Sequence, residues 1–197
     1  MRRFVAALAI SATLTSLGAA PAFAQEGAGG AMKAPATGPA MGEKATGGCE
    51  SFTWDVSHEL AVLDKPGKPI TAGANAKKSV HLDLDQRYAV KLLPQASVHF
   101  VVKPGKPMLD DGAQAGLFTF HTPKAGRYRV SITTGHWLDV LDGRNLVVSR
   151  DFQGQRGCEK VHKIVEFELS GNKDFTLQLS GGTDASLAVA VTPVKPG

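Results

Sequence analysis

The sequence predicts an all-β protein built as a single antiparallel β-sandwich, and three observations predict it. Hydrophobic and polar residues alternate in about ten short segments, the period of half-buried strands. Gly, Pro, Asp and Asn fall between those segments at turn-forming positions. No segment sustains the 3.6-residue period of a capped helix. Short strands with regular turns and no helices fold as packed antiparallel sheets.

Two segments precede the sandwich. Met1-Arg2-Arg3 is a short positive start, Phe4 to Leu17 is almost unbrokenly apolar, and Ala22-Phe23-Ala24 has the small-x-small pattern of a cleavage site. Together these predict a signal peptide over 1–24 and a periplasmic or secreted protein. The apolar run is too short to cross a bilayer and none later approaches that length, so no membrane span is expected. Residues 25–48, rich in Gly, Ala, Pro, Lys and Thr, carry no hydrophobic period and read as a flexible leader. Met32 and Met41 within it are too isolated to suggest copper handling. The domain then runs over 49–197.

Its strands follow in order. Phe52, Trp54 and Val56 alternate with polar residues, as do Val80, Leu82 and Leu84; Tyr88, Val90 and Leu92; and Val98, Phe100 and Val102. After these come Phe118 and Phe120; Tyr128, Val130 and Ile132; and Leu138 and Val140. Val165, Phe167 and Leu169, then Phe175, Leu177 and Leu179, and finally Leu187, Val189 and Val191 complete the set. Turns are marked by Lys103-Pro104-Gly105, Thr122 to Gly126, Asp142-Gly143, Gly171-Asn172 and Gly181-Gly182. Asp142-Gly143 between two alternating runs is a hairpin signal.

Charge and cysteine content narrow the function. The chain holds 22 basic and 18 acidic residues. Loss of Arg2 and Arg3 with the signal leaves a net charge of +2, with Lys and Arg scattered, so no nucleic-acid partner is expected. The two cysteines, Cys49 and Cys158, both lie in the exported part, where an isolated pair forms a disulfide. Two cysteines alone do not furnish the four ligands of a structural zinc site. Closing a loop of about a hundred residues is worth on the order of 4–5 kcal/mol in the chain-entropy model.

The second half of the domain carries a resemblance. Gly116-Leu-Phe-Thr-Phe-His, Pro123-Lys-Ala-Gly-Arg-Tyr-Arg-Val-Ser-Ile132, Trp137-Leu-Asp-Val-Leu-Asp-Gly143, Lys163 to Leu169 and Phe175 to Gly181 resemble the bacterial pre-peptidase C-terminal domain. That resemblance implies a small secreted sandwich, of the jelly-roll-like kind, with an accessory and non-catalytic role. The whole mature chain, including Gly48 to Leu60 and Asp151 to Cys158, also resembles small exported alphaproteobacterial proteins labelled homogentisate 1,2-dioxygenase. This second resemblance implies an iron-dependent dioxygenase. The cupin His-x-His with a nearby Glu that homogentisate dioxygenases use is not in this sequence.

His81, Asp83 and Asp85 share one face of a strand, and His81, Asp83 and the distant His136 have the residue types of an Fe(II) facial triad. Arg144 would be the arginine for a substrate carboxylate. The alternative is that His81, Asp83 and Asp85 form the solvated face of an amphipathic strand. The alternation favours this, because it turns His81 outward and places His136 in phase with Leu138 and Val140. Asp139 and Asp142, with Asn145, could offer oxygen ligands to calcium, although an Asp-Gly turn needs its aspartate for backbone reasons. Ser131 and Ser149 sit in ordinary strands, and no Gly-x-Ser-x-Gly elbow accompanies them. Of Trp54, Trp137, Tyr88 and Tyr128, only Trp137 falls out of phase with its core neighbours, which makes it the candidate ligand-binding aromatic. The resulting expectation is a non-catalytic module for an envelope ligand or protein partner, without a cofactor; the alternative is the iron dioxygenase.

Overall fold

Alternating strands place one row of side chains between two sheets and the other row outside, and the outside rows are where this fold departs from a bare sandwich. The structure, a computed structural model, describes residues 47–106 and 111–195. The expected signal peptide, the leader up to residue 46, and Met32 and Met41 lie outside the described residues.

Among the described residues twelve strands form two sheets. They are β1 (Lys68–Thr71), β2 (Val80–Leu82), β3 (Tyr88–Lys91), β4 (Leu93–Pro94), β5 (Gln114–Thr122) and β6 (Gly126–Ile132). The chain continues with β7 (Trp137–Asp142), β8 (Asn145–Val147), β9 (Asp151–Gly154), β10 (Lys163–Leu169), β11 (Lys173–Gly182) and β12 (Ser186–Pro193). Sheet one has the order β1-β3-β12-β6-β10-β9, and sheet two the order β2-β5-β11-β7-β8, with β4 also paired to β5. Between them Tyr88, Phe118, Phe120, Tyr128, Val130, Val140, Phe167, Leu177 and Val191 form the main core. The expected all-β sandwich is therefore the observed fold.

Two pairings, β1 with β3 and β2 with β5, are parallel rather than antiparallel. The first half of the chain alternates between the sheets, so β1 and β3 meet after a crossover through β2. Period-two patterning carries no information about strand direction, which is why the mixture was not visible in it.

The outer face of sheet one is roofed by the N-terminal segment. Phe52, Trp54 and Val56, expected as a strand, instead follow a 3-10 turn at Cys49–Ser51 and lead into a helix α1 (Ser57–Leu63). The Asp55 carboxylate accepts the Ser57 amide at 2.9 Å in an Asx-type turn just ahead of the helix, whose N-cap Val56 offers no side-chain cap. Two turns are too short to display a helical period. Phe52, Val56, Val62 and Leu63 pack with Cys158, Val161, Ile164, Ala188 and Ala190 in a second core. Cys49 and Cys158 form the expected disulfide, which pins the start of this roof beside β10 across 109 residues.

The outer face of sheet two is covered by residues 95–106. Val98, Phe100 and Val102 were expected as a strand, but the segment is a 3-10 turn at Gln95–Ser97 followed by irregular chain. Val98 packs on Ala115 and Leu117. The buried Gln178 side chain replaces a neighbouring strand: its Oε1 accepts the Val101 amide at 2.7 Å, and its Nε2 donates to the Val102 carbonyl at 3.2 Å. Among the described residues no helix is long and apolar enough to cross a membrane. The disulfide is compatible with an exported protein.

Candidate functional site

The sandwich is open along one edge. β8 and β9 end their respective sheets and are short, so β7 and β10 border a gap that the edge strands do not close. The gap is a cleft of about 860 Å³, bordered by core-side Leu138, Val147, Val165 and Phe167. The exposed large hydrophobics of the described domain, Leu146, Val148 and Phe152, all stand on its rim. Val148 is 86% exposed, uncovered by any described residue.

Trp137 opens β7, lines this cleft on the side of the 95–106 segment and is half-buried. Its indole Nε1 donates to Asp139 Oδ1 at 2.8 Å, and the other oxygen of Asp139 accepts the Gly105 amide at 3.0 Å. Segment 95–106 thereby delivers Lys106, whose Nζ lies 5.7 Å from the indole centroid; Lys163 Nζ lies 5.8 Å from the same centroid. Lys163 starts β10 in phase with Val165 and Phe167, on the side facing the other sheet. It donates to the His136 carbonyl at 2.6 Å. Burial, reinforced by the positive charge of Lys106, holds its ammonium pKa down to about 8, with Asp139 acting in the opposite sense. His162 beside it is pushed below its ordinary value by burial, then by Lys163 and Arg156.

The residues singled out in the sequence fall in several places. Trp137 lies in the cleft, and Asp139 lines it too. The proposed facial triad does not assemble. His81 is exposed on β2, and Asp83 accepts the Tyr88 hydroxyl at 2.8 Å while its own amide donates to that oxygen. His136 is fully buried just before β7, and β2 is separated from β7 by β5 and β11. Three inter-strand steps amount to about 14 Å, far beyond a shared coordination sphere. Asp85 accepts from His58 at 2.7 Å in a turn, and Arg144 is exposed at the tip of the β7–β8 hairpin. Asp139 and Asp142 are three apart on one strand and so point to opposite faces; Asp142 pairs with Lys173 at 2.6 Å. Among the described residues no group of three or more His, Cys, Asp or Glu is placed to hold a metal ion. Ser131 is buried and Ser149 is exposed at the cleft. Tyr88 and Tyr128 belong to the core, and Trp54 is packed under the N-terminal roof.

Sequence reasoning missed Lys163 and Lys106. Lys163 had a readable signal, a lysine in the core phase of Val165, Phe167 and Leu169. Lys106 had none, because a loop packed across a sheet by one glutamine leaves no periodic trace.

No protein-family model matches the chain, the pre-peptidase C-terminal domain included, and no curated protein matches it. Among solved structures, a β-glucosidase from Kluyveromyces marxianus is similar over 54% of this chain at 10% identity, with a TM-score of 0.31. The chain spans 13% of the length of that enzyme.

Proposed function

We propose that this chain is a non-catalytic binding module of the cell envelope or secreted space, and that its ligand enters the cleft between β8 and β9. The observation that carries the reading is the gathering of Leu146, Val148 and Phe152, all exposed, around a cleft that Trp137 also lines. Its volume lies in the range of about 300–1,000 Å³ typical of small-molecule sites, and Leu138, Val147, Val165 and Phe167 give it apolar walls interleaved with polar and charged side chains. The sequence of the first 24 residues supports the address. Asp139 commits both oxygens to Trp137 and Gly105, which suits holding a ligand better than moving a proton.

The test is titration with N-phenyl-1-naphthylamine, a neutral apolar fluorophore. Saturable binding at one site is expected, with energy transfer from tryptophan that falls in Trp137→Phe. Affinity should drop at least fivefold in the double variant Val148→Ser, Phe152→Ser. Absence of saturable binding, or equal affinity in that variant, would remove the cleft from consideration.

A further inference from the structure

Resting on that binding reading, we propose that the ligand is a small amphipathic carboxylate, its head group received by Lys163 and Lys106 beside Trp137 and its apolar body lying against Leu146, Val148 and Phe152. Charge complementarity carries the argument. Lys106, Arg156 and Lys163 all line the cleft, and among the described residues none of them makes an ion pair. Asp139 is the carboxylate nearest in sequence to Trp137, and both its oxygens are already engaged. Asp151 turns one oxygen back to the Phe152 amide at 2.8 Å. An inward lysine with one carbonyl partner leaves two N–H donors unassigned, and a buried ammonium is costly unless an acceptor of opposite charge meets it. A carboxylate entering from solvent supplies that acceptor. The adjacent exposed hydrophobics then give the same molecule a place for an alkyl or aryl body, and a cationic amphiphile of equal size would meet like charge.

The geometry also sets a pH signature. The titratable groups acting with Lys163 are Lys106 from the 95–106 segment, Asp139 from β7, buried His136 just before β7, and His162 next to Lys163 on the chain, with Asp184 acting on both histidines; Arg156 and Asp151 line the same cleft. His162, depressed by burial, is neutral above pH 7, so Lys163 is the lining group that changes charge between pH 7 and 9. A bound carboxylate favours the ammonium, so binding above pH 8 takes up a proton.

The experiment compares octanoate, octyl glucoside and octyltrimethylammonium by calorimetry on the mature protein, below their micellar concentrations. Octanoate is expected to bind at least tenfold more tightly than octyltrimethylammonium, at one equivalent. Its affinity should stay level to about pH 8 and then fall, approaching tenfold per pH unit. Lys163→Met should weaken octanoate at least tenfold and flatten the pH profile, while leaving octyl glucoside within twofold; Lys163→Arg should restore most of the loss. Lys106→Gln, an exposed change, should cost octanoate about threefold and keeps the idea testable if the methionine variant does not fold. Equal affinity for the three amphiphiles, or a wild-type profile flat from pH 7 to 9, overturns this inference while the cleft remains a binding site. If neither these amphiphiles nor N-phenyl-1-naphthylamine binds, both proposals fall.

Discussion

The two tryptophans of this chain each lie against cationic side chains, and they differ in how those cations are answered. Under the N-terminal roof, Arg129 stacks 4.7 Å from the Trp54 centroid. Its Nε donates to Glu166 at 3.0 Å, and its Nη1 donates to the Asp55 carbonyl at 2.8 Å and to Glu59 at 3.3 Å. Glu59 in turn accepts the Thr192 hydroxyl at 3.1 Å. Arg129, Glu166, Glu59 and Thr192 are all buried and partnered, so the network serves as the polar seam between α1 and sheet one. At the cleft, Trp137 has two lysines beside it, and the Asp139 carboxylate that acts on Lys163 already accepts from the indole and from Gly105; among the described residues neither lysine makes an ion pair. One tryptophan site is answered within the described chain; the other is where the proposed ligand would supply the missing negative charge. The same residue types mark structure or binding according to whether their charges are satisfied.

Variants should separate the two sites sharply. The largest effect is expected from Cys49→Ala with Cys158→Ala: losing a cross-link over 109 residues should cost about 4–5 kcal/mol in urea unfolding. Retained stability would show that the roof docks without its tether. Arg129→Met comes next. It strands Glu59 and Glu166 in the buried seam and should cost roughly 3–5 kcal/mol, with octanoate affinity unchanged. A loss under 1 kcal/mol would mean that the seam is no better satisfied than the cleft.

Lys163→Met should behave in the opposite way. The folded-state value of about 8 lies below the roughly 10.4 of a free lysine. Unfolding therefore takes up a proton between those values, and wild-type stability rises with pH across that window. Below pH 8 the methionine variant should be the more stable of the two, and the gap should shrink as pH climbs to 10. Tyr88, whose pKa burial raises, is common to both proteins and cancels in the difference. A gap independent of pH would mean that Lys163 titrates as an ordinary surface lysine. The smallest effect is expected from Val148→Ser, which should change stability by less than about 0.5 kcal/mol because no described residue covers that side chain. Its consequence should appear in ligand affinity alone.

The sandwich was legible wherever one face of a strand meets the main core. Phe118 and Phe120, Tyr128 to Ile132, Val165 to Leu169, Phe175 to Leu179 and Leu187 to Val191 all occupy the side their alternation assigned. The pattern was silent about the second side of each sheet. Arg129, Glu166 and Thr192 alternate as solvent-facing residues yet are buried, because a roof drawn from residues 49–63 covers them. The reading of Val98, Phe100 and Val102 failed for a related reason: alternation against a sheet surface does not require a paired strand. Of the candidate site, Trp137 was legible from its phase. The cleft was not, since its existence depends on β8 and β9 being too short to close the edge.

The first helix has a bearing on how the chain reaches its native state. α1 lies on Ala188, Ala190 and Thr192 of β12, the final strand, and its Glu59 reaches partners 70 and 133 residues further along. During synthesis or export, the N-terminal segment thus has nowhere native to dock until nearly the whole chain has emerged. Closure of such distant contacts is slow. The roof should be the last part to form, docking only once β12 has completed the sheet surface it covers.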